Sequence, residues 1–350
     1  MIKVTLTNEI LRYITEIEQN RYKVSSVKLS KTVMNKLRKN SKKKSSYASN
    51  KIEGNPLSEK QVNEVIESDE RKHYLKPEQE VRNYFLALNY LEEKVKNKEE
   101  FSKKLILDVQ KLVEKGASKE KIGLRGSMPP GVLFAVYDSK TGNPDYIPPE
   151  YCDIPGLLDE LVEYVNTTDD HPLIIAAVVH YQLVTIHPFE DGNGRTARLL
   201  SGYIMDLNGY GFNGIGSLEE YFAYDIDEYY ESIQMGLPAL YYSGRENPPH
   251  PEIWINYFLR MVKLYSGKVC DLQLASEEED IAGSLSFLKG KEKELLLFLM
   301  KNYRGEFTPI EISRELSVTN KTIINRLTIL VKNGFVIPIL VNKRIRSYEL

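Results

Sequence analysis

The run Leu173–Ile186 constrains the fold most: fourteen consecutive residues, broken in polarity only by His180, Gln182 and Thr185. It falls short of the roughly 20 apolar residues a membrane span requires, so it reads as a helix buried inside a protein. Immediately after it comes His187-Pro188-Phe189-Glu190-Asp191-Gly192-Asn193-Gly194, and helical periodicity resumes from Arg195 to Leu207. A polar, glycine-rich loop is thus held between two strongly predicted helices. Further helical spacing occurs at Ile10, Leu11, Ile14 and Ile17, at Val33, Met34 and Leu37, over 58–96 and 101–115, over Leu157–Val165, near Tyr229, and around Trp254 and Phe258. The fold class expected is mainly α.

The exception in the middle is Val132–Ile147, where an apolar run, the turn-prone Asp138–Asp145 and Tyr146-Ile147 predict a β-hairpin. Ser45–Gly54 reads as a short helix that stops at Gly54, because Asn55-Pro56 cannot continue it. After the polar stretch Ala275–Asp280 the layout changes. An apolar helix Leu295–Met300, then Ile310–Leu316, a turn, Val318–Val331 and two extended pieces around Asn342-Lys343 resemble a winged helix-turn-helix. Thr319, Asn320, Lys321, Thr322 and Arg326 would lie near the start and outer face of its recognition helix, where such side chains reach phosphates and base edges of DNA. The domains expected are an N-terminal helical region 1–95, a core 96–265, a linker 266–289 and a winged helix 290–350.

Length and composition bound the function. At 350 residues, 42% hydrophobic and 27% charged, the chain matches ordinary globular proteins of two or three domains. The formal charge of −2 conceals an uneven spread: −1 for 1–20, +11 for 21–51, −17 for 52–290 and +5 for 291–350. Basic ends of this kind suit nucleic acid, although a solvated lysine face is the commoner reason for them. Cys152 and Cys270 stand far apart and form neither a disulfide framework nor a zinc ribbon, and both read as packing residues. Met1–Ile10 lacks the pattern of a signal peptide, which implies a cytoplasmic location and no membrane.

The loop carries the chemistry. Gly192-Asn193-Gly194 before a helix leaves backbone N–H groups uncovered and directed at one point, where the helix dipole also favours an anion. Asp191 can hold a hard cation such as Mg2+, which bridges phosphate oxygens. Arg195 and Arg198, three apart, share a helix face, and two guanidinium groups over an anion site imply a polyphosphate. His187 has the side chain best suited to take a proton from an attacking hydroxyl near neutral pH. No Walker A sequence is present, since Gly267-Lys268 and Gly290-Lys291 are followed by Val269 and Glu292.

The segment His187–Arg198 resembles the Fic-domain signature HxFx(D/E)GNGRxxR at every fixed position, and the likeness extends over about 45–265. The resemblance implies a helical Fic fold with a β-hairpin flap and transfer of AMP from ATP to a Ser, Thr or Tyr hydroxyl of a protein target. It makes His187 the base and Asp191, rather than Glu190, the magnesium ligand. Gly192, Asn193 and Gly194 would hold the α and β phosphates, Arg195 would contact phosphate, and Arg198 would reach the γ-phosphate. The flap, Val132–Ile147, would align a target by adding its backbone as a strand. Tyr229 and Tyr230 fall where the family places residues near adenine.

Ser49-Asn50-Lys51-Ile52-Glu53-Gly54 is similar to the inhibitory motif (S/T)xxxE(G/N) of Fic proteins that carry their own brake. Ser49 and Glu53, four apart, face the same way, so that Glu53 would pair with Arg198 and displace the γ-phosphate. The same glutamate would also serve removal of AMP from a modified target. Transfer of UMP or phosphate, a nucleotide-sensing DNA-binding regulator, and a homodimer are left open by the sequence.

Overall fold

The computed structural model describes residues 2–68, 73–118, 122–132, 134–137, 142–235, 248, 250–285, 290–303, 305–332, 335–341 and 344–350. Two compact units divide the chain, Met1–Leu274 and Ala275–Leu350.

The first unit is helical: α1 (Asn8–Ser26), α2 (Lys31–Ile52), α3 (Glu59–Glu67), α4 (Lys76–Lys96), α5 (Lys103–Glu114), α6 (Ile154–Thr167), α7 (Pro172–Ile186), α8 (Asn193–Leu207), α9 (Glu219–Phe222), α10 (Ile226–Gln234) and the part of α11 (Pro251–Leu285) up to Leu274. A short hairpin, β1 (Val136–Tyr137) and β2 (Pro144–Tyr146), pairs Val136 with Tyr146 and Tyr137 with Pro144. Of the turn predicted between these strands, residues 138–141 lie outside the described residues. One core contains side chains from α1, α2 and α4 through α11, so no packing boundary separates 1–95 from 96–265.

Helix α7 is the centre of this unit, with Leu173–Leu183, Thr185 and Ile186 all buried. A helix apolar on every side must be covered on every side. The cover includes α8 and α6, and Trp254 of α11 donates from Nε1 to Ala177 O at 2.8 Å. Each fully buried aliphatic side chain here contributes about 1.5–3 kcal/mol of transfer free energy.

Two expectations change. The inhibitory segment is not a separate short helix over about 45–54 but the last third of α2, which runs unbroken for 22 residues. No glycine or proline interrupts Lys31–Ile52, and Ser41, Ser45 and Ser49 form a small-residue ridge four apart that is buried against the rest of the unit. The second change concerns 266–289: residues 266–285 continue α11 rather than forming a connector. Cys270 is buried, but Cys152 is exposed.

The second unit contains α12 (Gly290–Asn302), α13 (Pro309–Glu315), α14 (Asn320–Lys332), and an antiparallel pair β3 (Ile337–Val341) and β4 (Arg344–Glu349). Leu295, Leu299, Phe307, Ile312, Ile323, Leu327 and Tyr348 form its core. Phe307 and Tyr348 exchange backbone hydrogen bonds at 2.8 Å, adding a bridge beside β4. The order is thus three helices followed by a strand pair, and Asn342 and Lys343, at the tip of the wing expected from the sequence, lie outside the described residues.

Candidate active site

His187 ends α7 in the left-handed conformation, φ 49°, which an L residue adopts only when its surroundings impose it. They do so through Arg125. Its backbone N–H donates to Pro188 O at 2.9 Å, its Nε donates to His187 O at 2.8 Å, and its Nη2 donates to Pro149 O. The Arg125 guanidinium lies 4.6 Å from the centre of the Phe134 ring, which in turn sits 5.9 Å from the His187 ring. His187 Nδ1 faces Val184 O at 3.3 Å. Desolvation, with the Arg125 charge in support, pulls the His187 pKa down to about 4 against the opposing Val184 carbonyl, Glu53 and Asp191. Its imidazole is therefore neutral at pH 7, and the Nδ1 contact leaves Nε2 as the basic nitrogen.

The loop is then drawn tight by its own side chains. Phe189 is buried, and Asn193 clamps it twice, accepting from Phe189 N–H at 3.0 Å and donating to Phe189 O at 2.9 Å. Asn193 is thus spent on shaping the loop, and only its backbone faces the cradle. Gly192, at φ 81°, N-caps α8 and donates its N–H to Asp191 Oδ1 at 2.8 Å. The first-turn N–H groups of Asn193, Gly194 and Arg195 have no intrahelical acceptor by the geometry of a helix start, and the dipole adds positive potential there.

A carboxylate from α2 occupies this turn. Glu53 Oε1 accepts from Arg198 Nη2 at 2.6 Å, and it lies so close to Gly194 that a Cβ there would collide with it. Arg198 also donates to Ser49 Oγ at 2.8 Å, to Ser49 O at 3.1 Å and to Tyr229 Oη at 3.4 Å. With 1% of its side chain exposed, it stays charged, its pKa held above the usual value by Glu53, Tyr229 and Tyr84 despite burial. Ser45, one turn before Ser49, donates to Glu219 at 2.8 Å, and Tyr84 donates to the other oxygen of Glu219 at 2.8 Å. The Arg198–Ser49 bonds thus tie α2 to α8, and Glu219 ties it to α9 and to Tyr84 of α4.

Arg195 takes a different course from the one its spacing predicts. Its side chain lies among carboxylates: Nη2 meets Glu114 Oε1 at 2.9 Å and Asp191 Oδ1 at 3.4 Å, and Nη1 lies 3.8 Å from Glu80. A guanidinium surrounded by three carboxylates beneath the loop is better satisfied there than at a cradle already held by Glu53. Tyr229 departs from its expectation too. Its hydroxyl is 2.8 Å from His180 Nε2, and Phe222, Trp254, Tyr257 and Tyr230 surround its ring, leaving no open face for adenine. Tyr230 is exposed. Glu114 and Glu80 are the participants that sequence reading misses, together with the bonds of Arg125 to the loop and the pairing of Tyr229 with His180.

Comparisons with known proteins agree with this architecture. Residues 100–205 match the model of the Fic/DOC family. A protein adenylyltransferase Fic of Drosophila grimshawi is 27% identical over 208 residues, which is 57% of this chain and 40% of that protein. One of Aedes aegypti is 29% identical over 204 residues, 55% of this chain and 38% of the relative. The chain therefore spans about two fifths of the length of these curated relatives. Among solved structures, a Fic family protein from Desulfovibrio desulfuricans G20 aligns with 100% of this chain and 98% of its own, at TM-score 0.62 and 20% identity. Fic-1 from C. elegans (residues 134–508) aligns with 77% of this chain and 73% of its own, at TM-score 0.59 and 23% identity. The signature, the fold and the family match converge, and residues 100–205 of this chain are a Fic/DOC-family domain.

Proposed function

We propose that the protein is an adenylyltransferase that moves AMP from ATP to a hydroxyl of a protein target and is held inactive in cis by Glu53. The observation that carries this reading is the carboxylate of Glu53 at the first turn of α8, bound to Arg198 and against Gly194. A carboxylate there stands in for the phosphate oxygens that a helix start and an arginine would otherwise bind. The curated relatives named protein adenylyltransferase support AMP as the group transferred.

In the proposed reaction the target oxygen attacks the α-phosphorus of ATP, the bond from that phosphorus to the bridging oxygen breaks, and pyrophosphate leaves. The hydroxyl proton passes to His187 Nε2. The free imidazole is a weak base at a pKa of about 4, and the negative charge of a bound polyphosphate raises it toward neutrality. The backbone N–H groups at the start of α8 hold phosphate oxygens, and Arg198, released from Glu53, holds the terminal phosphate. The rest is positioning and charge stabilisation.

Magnesium fits Asp191. Its carboxylate is partly exposed and oriented by the Gly192 N–H, and no group of three acidic, His or Cys side chains that could enclose a metal occurs among the described residues. A single carboxylate completed by phosphate oxygens and water suits magnesium, which keeps several waters, and it would neutralise phosphate charge. No helix among the described residues is long and apolar enough to cross a membrane.

Incubating the Glu53→Gly variant with ATP, UTP or GTP and magnesium, followed by mass spectrometry of protein products, tests the reading. Adenylylated protein with release of pyrophosphate is expected. Uridylylated or phosphorylated product instead would replace AMP as the transferred group. Loss of AMP from a modified target when enzyme is added would reveal the reverse activity. For the second unit, exposed Thr319, Asn320 and Lys321 at the start of α14 favour an additional contact with duplex DNA.

A further inference from the structure

We infer that Gln110 and Glu114, one turn apart on α5, are positioning residues that hold the anion loop in shape, and that Glu114 acts through Arg195, which is a strut of the loop rather than a phosphate ligand. The inference rests on the proposed nucleotide transfer. Glu114 is fully buried, yet its carboxylate reaches across to accept from Arg195 Nη2 at 2.9 Å. The same oxygen abuts Gly192, where a Cβ would come within 2.6 Å of it. Glycine is therefore required at 192 for space as well as for its positive φ. Gln110 secures the loop one residue earlier, donating to Asp191 O at 3.3 Å while accepting from Gly123 N–H at 3.0 Å.

Arg195 is aimed away from the cradle. Its Nε and Nη1 are sealed from solvent and make no hydrogen bond, and its charged contacts are Glu114, Asp191 and Glu80. Turning that guanidinium toward a phosphate would strand Glu114, whose Oε2 already lacks a hydrogen-bond partner, as an unpaired buried carboxylate. The cheaper arrangement keeps Arg195 in place and presents phosphate with backbone N–H groups and Arg198. Burial, reinforced by Asp191 and Glu80 and opposed by Arg195, lifts the Glu114 pKa to about 7, which fits a carboxylate that depends on this one arginine.

The test measures affinity for the magnesium complex of a non-hydrolysable ATP analogue by calorimetry, in full-length protein carrying Glu53→Gly. Adding Glu114→Gln or Arg195→Gln is expected to weaken binding at least tenfold each, with the double substitution no weaker than the worse single one. Glu114→Gln without effect, or losses that multiply, would overturn the inference, since Arg195 would then read phosphate by itself. A second variant, Gln110→Met, leaves every charge in place and is expected to weaken binding about threefold while its cooperative melting persists; unchanged affinity would also count against the clamp. Absence of binding by Glu53→Gly alone would instead refute the nucleotide reading on which the inference stands.

Discussion

Replacing Glu53 with glycine removes one partner of an ion pair whose other member, Arg198, is 1% exposed, while Glu53 itself is 31% exposed. Breaking a fully buried pair costs about 3–5 kcal/mol, and an exposed pair is worth about 0.2–1 kcal/mol. Arg198 keeps Ser49 Oγ, Ser49 O and Tyr229 as acceptors, so the loss lies between these limits, at about 1–2 kcal/mol. For a unit of this size that lowers Tm by about 2–8 °C. The same change frees a guanidinium for phosphate. A charge-assisted hydrogen bond contributes about 1.5–3 kcal/mol, and about 1.4 kcal/mol is tenfold, so ATP affinity should rise roughly 10- to 150-fold. Differential scanning calorimetry and titration calorimetry with ATP read the two effects in opposite directions. Glu53→Gln, which keeps the length and loses the charge, should fall between wild type and Glu53→Gly. A variant that melts as wild type does and binds ATP within twofold of it would refute the competition between carboxylate and phosphate.

Further outcomes follow from the same geometry. A Cβ at residue 194 would enter the space of Glu53 and lie 3.2 Å from Arg198 Nη1, so Gly194→Ala should weaken nucleotide binding in both the wild-type and Glu53→Gly backgrounds, as calorimetry would show. His187 has a folded pKa of about 4 against an unfolded value near 6.5. The unfolded chain therefore binds more protons between those values, and stability falls as pH drops from about 6.5 to 4, with buried His180 acting in the same direction. Chemical denaturation across that range should show a shallower fall for His187→Ala, which should also abolish transfer. Tyr229→Phe removes the hydroxyl shared by His180 and Arg198; an unpartnered buried group costs about 1–3 kcal/mol, to be seen as a drop in Tm of about 2–12 °C. The proposed contact of the second unit with duplex DNA predicts a gel shift that weakens steeply with salt and on replacing Lys321 or Arg326 with Ala, and no shift at low salt would refute it.

The central hairpin of helices was legible because two local signals coincide there: apolar residues on every side of α7, and glycines that a helix start with exposed N–H groups requires. The pairing of Glu53 with Arg198 could be anticipated because a short motif announces it. Other parts were invisible for a physical reason. Glu114 and Arg195 are 81 residues apart, and nothing in either neighbourhood tells a buried carboxylate from a solvated one. Spacing places Arg195 and Arg198 on one face of α8 but does not say where long side chains bend, and the three carboxylates beneath the loop decide that. The full length of α2 was masked by the polar run Arg38–Ser46 at its middle, where no apolar residue links Val33, Met34 and Leu37 to the segment that follows. Tyr229 looked available for a ligand because burial of an aromatic ring depends on helices distant in sequence, here α7 and α11.

The most direct test of braked adenylyl transfer is mass spectrometry of AMP-modified proteins in a cell lysate supplied with ATP, magnesium and the purified protein. The account predicts AMP on hydroxyl side chains with Glu53→Gly, far less with wild type, and none with the combined Glu53→Gly and His187→Ala protein. Equal modification by the wild-type and Glu53→Gly proteins would contradict the brake, and modification that survives loss of His187, or that never appears, would contradict the chemistry.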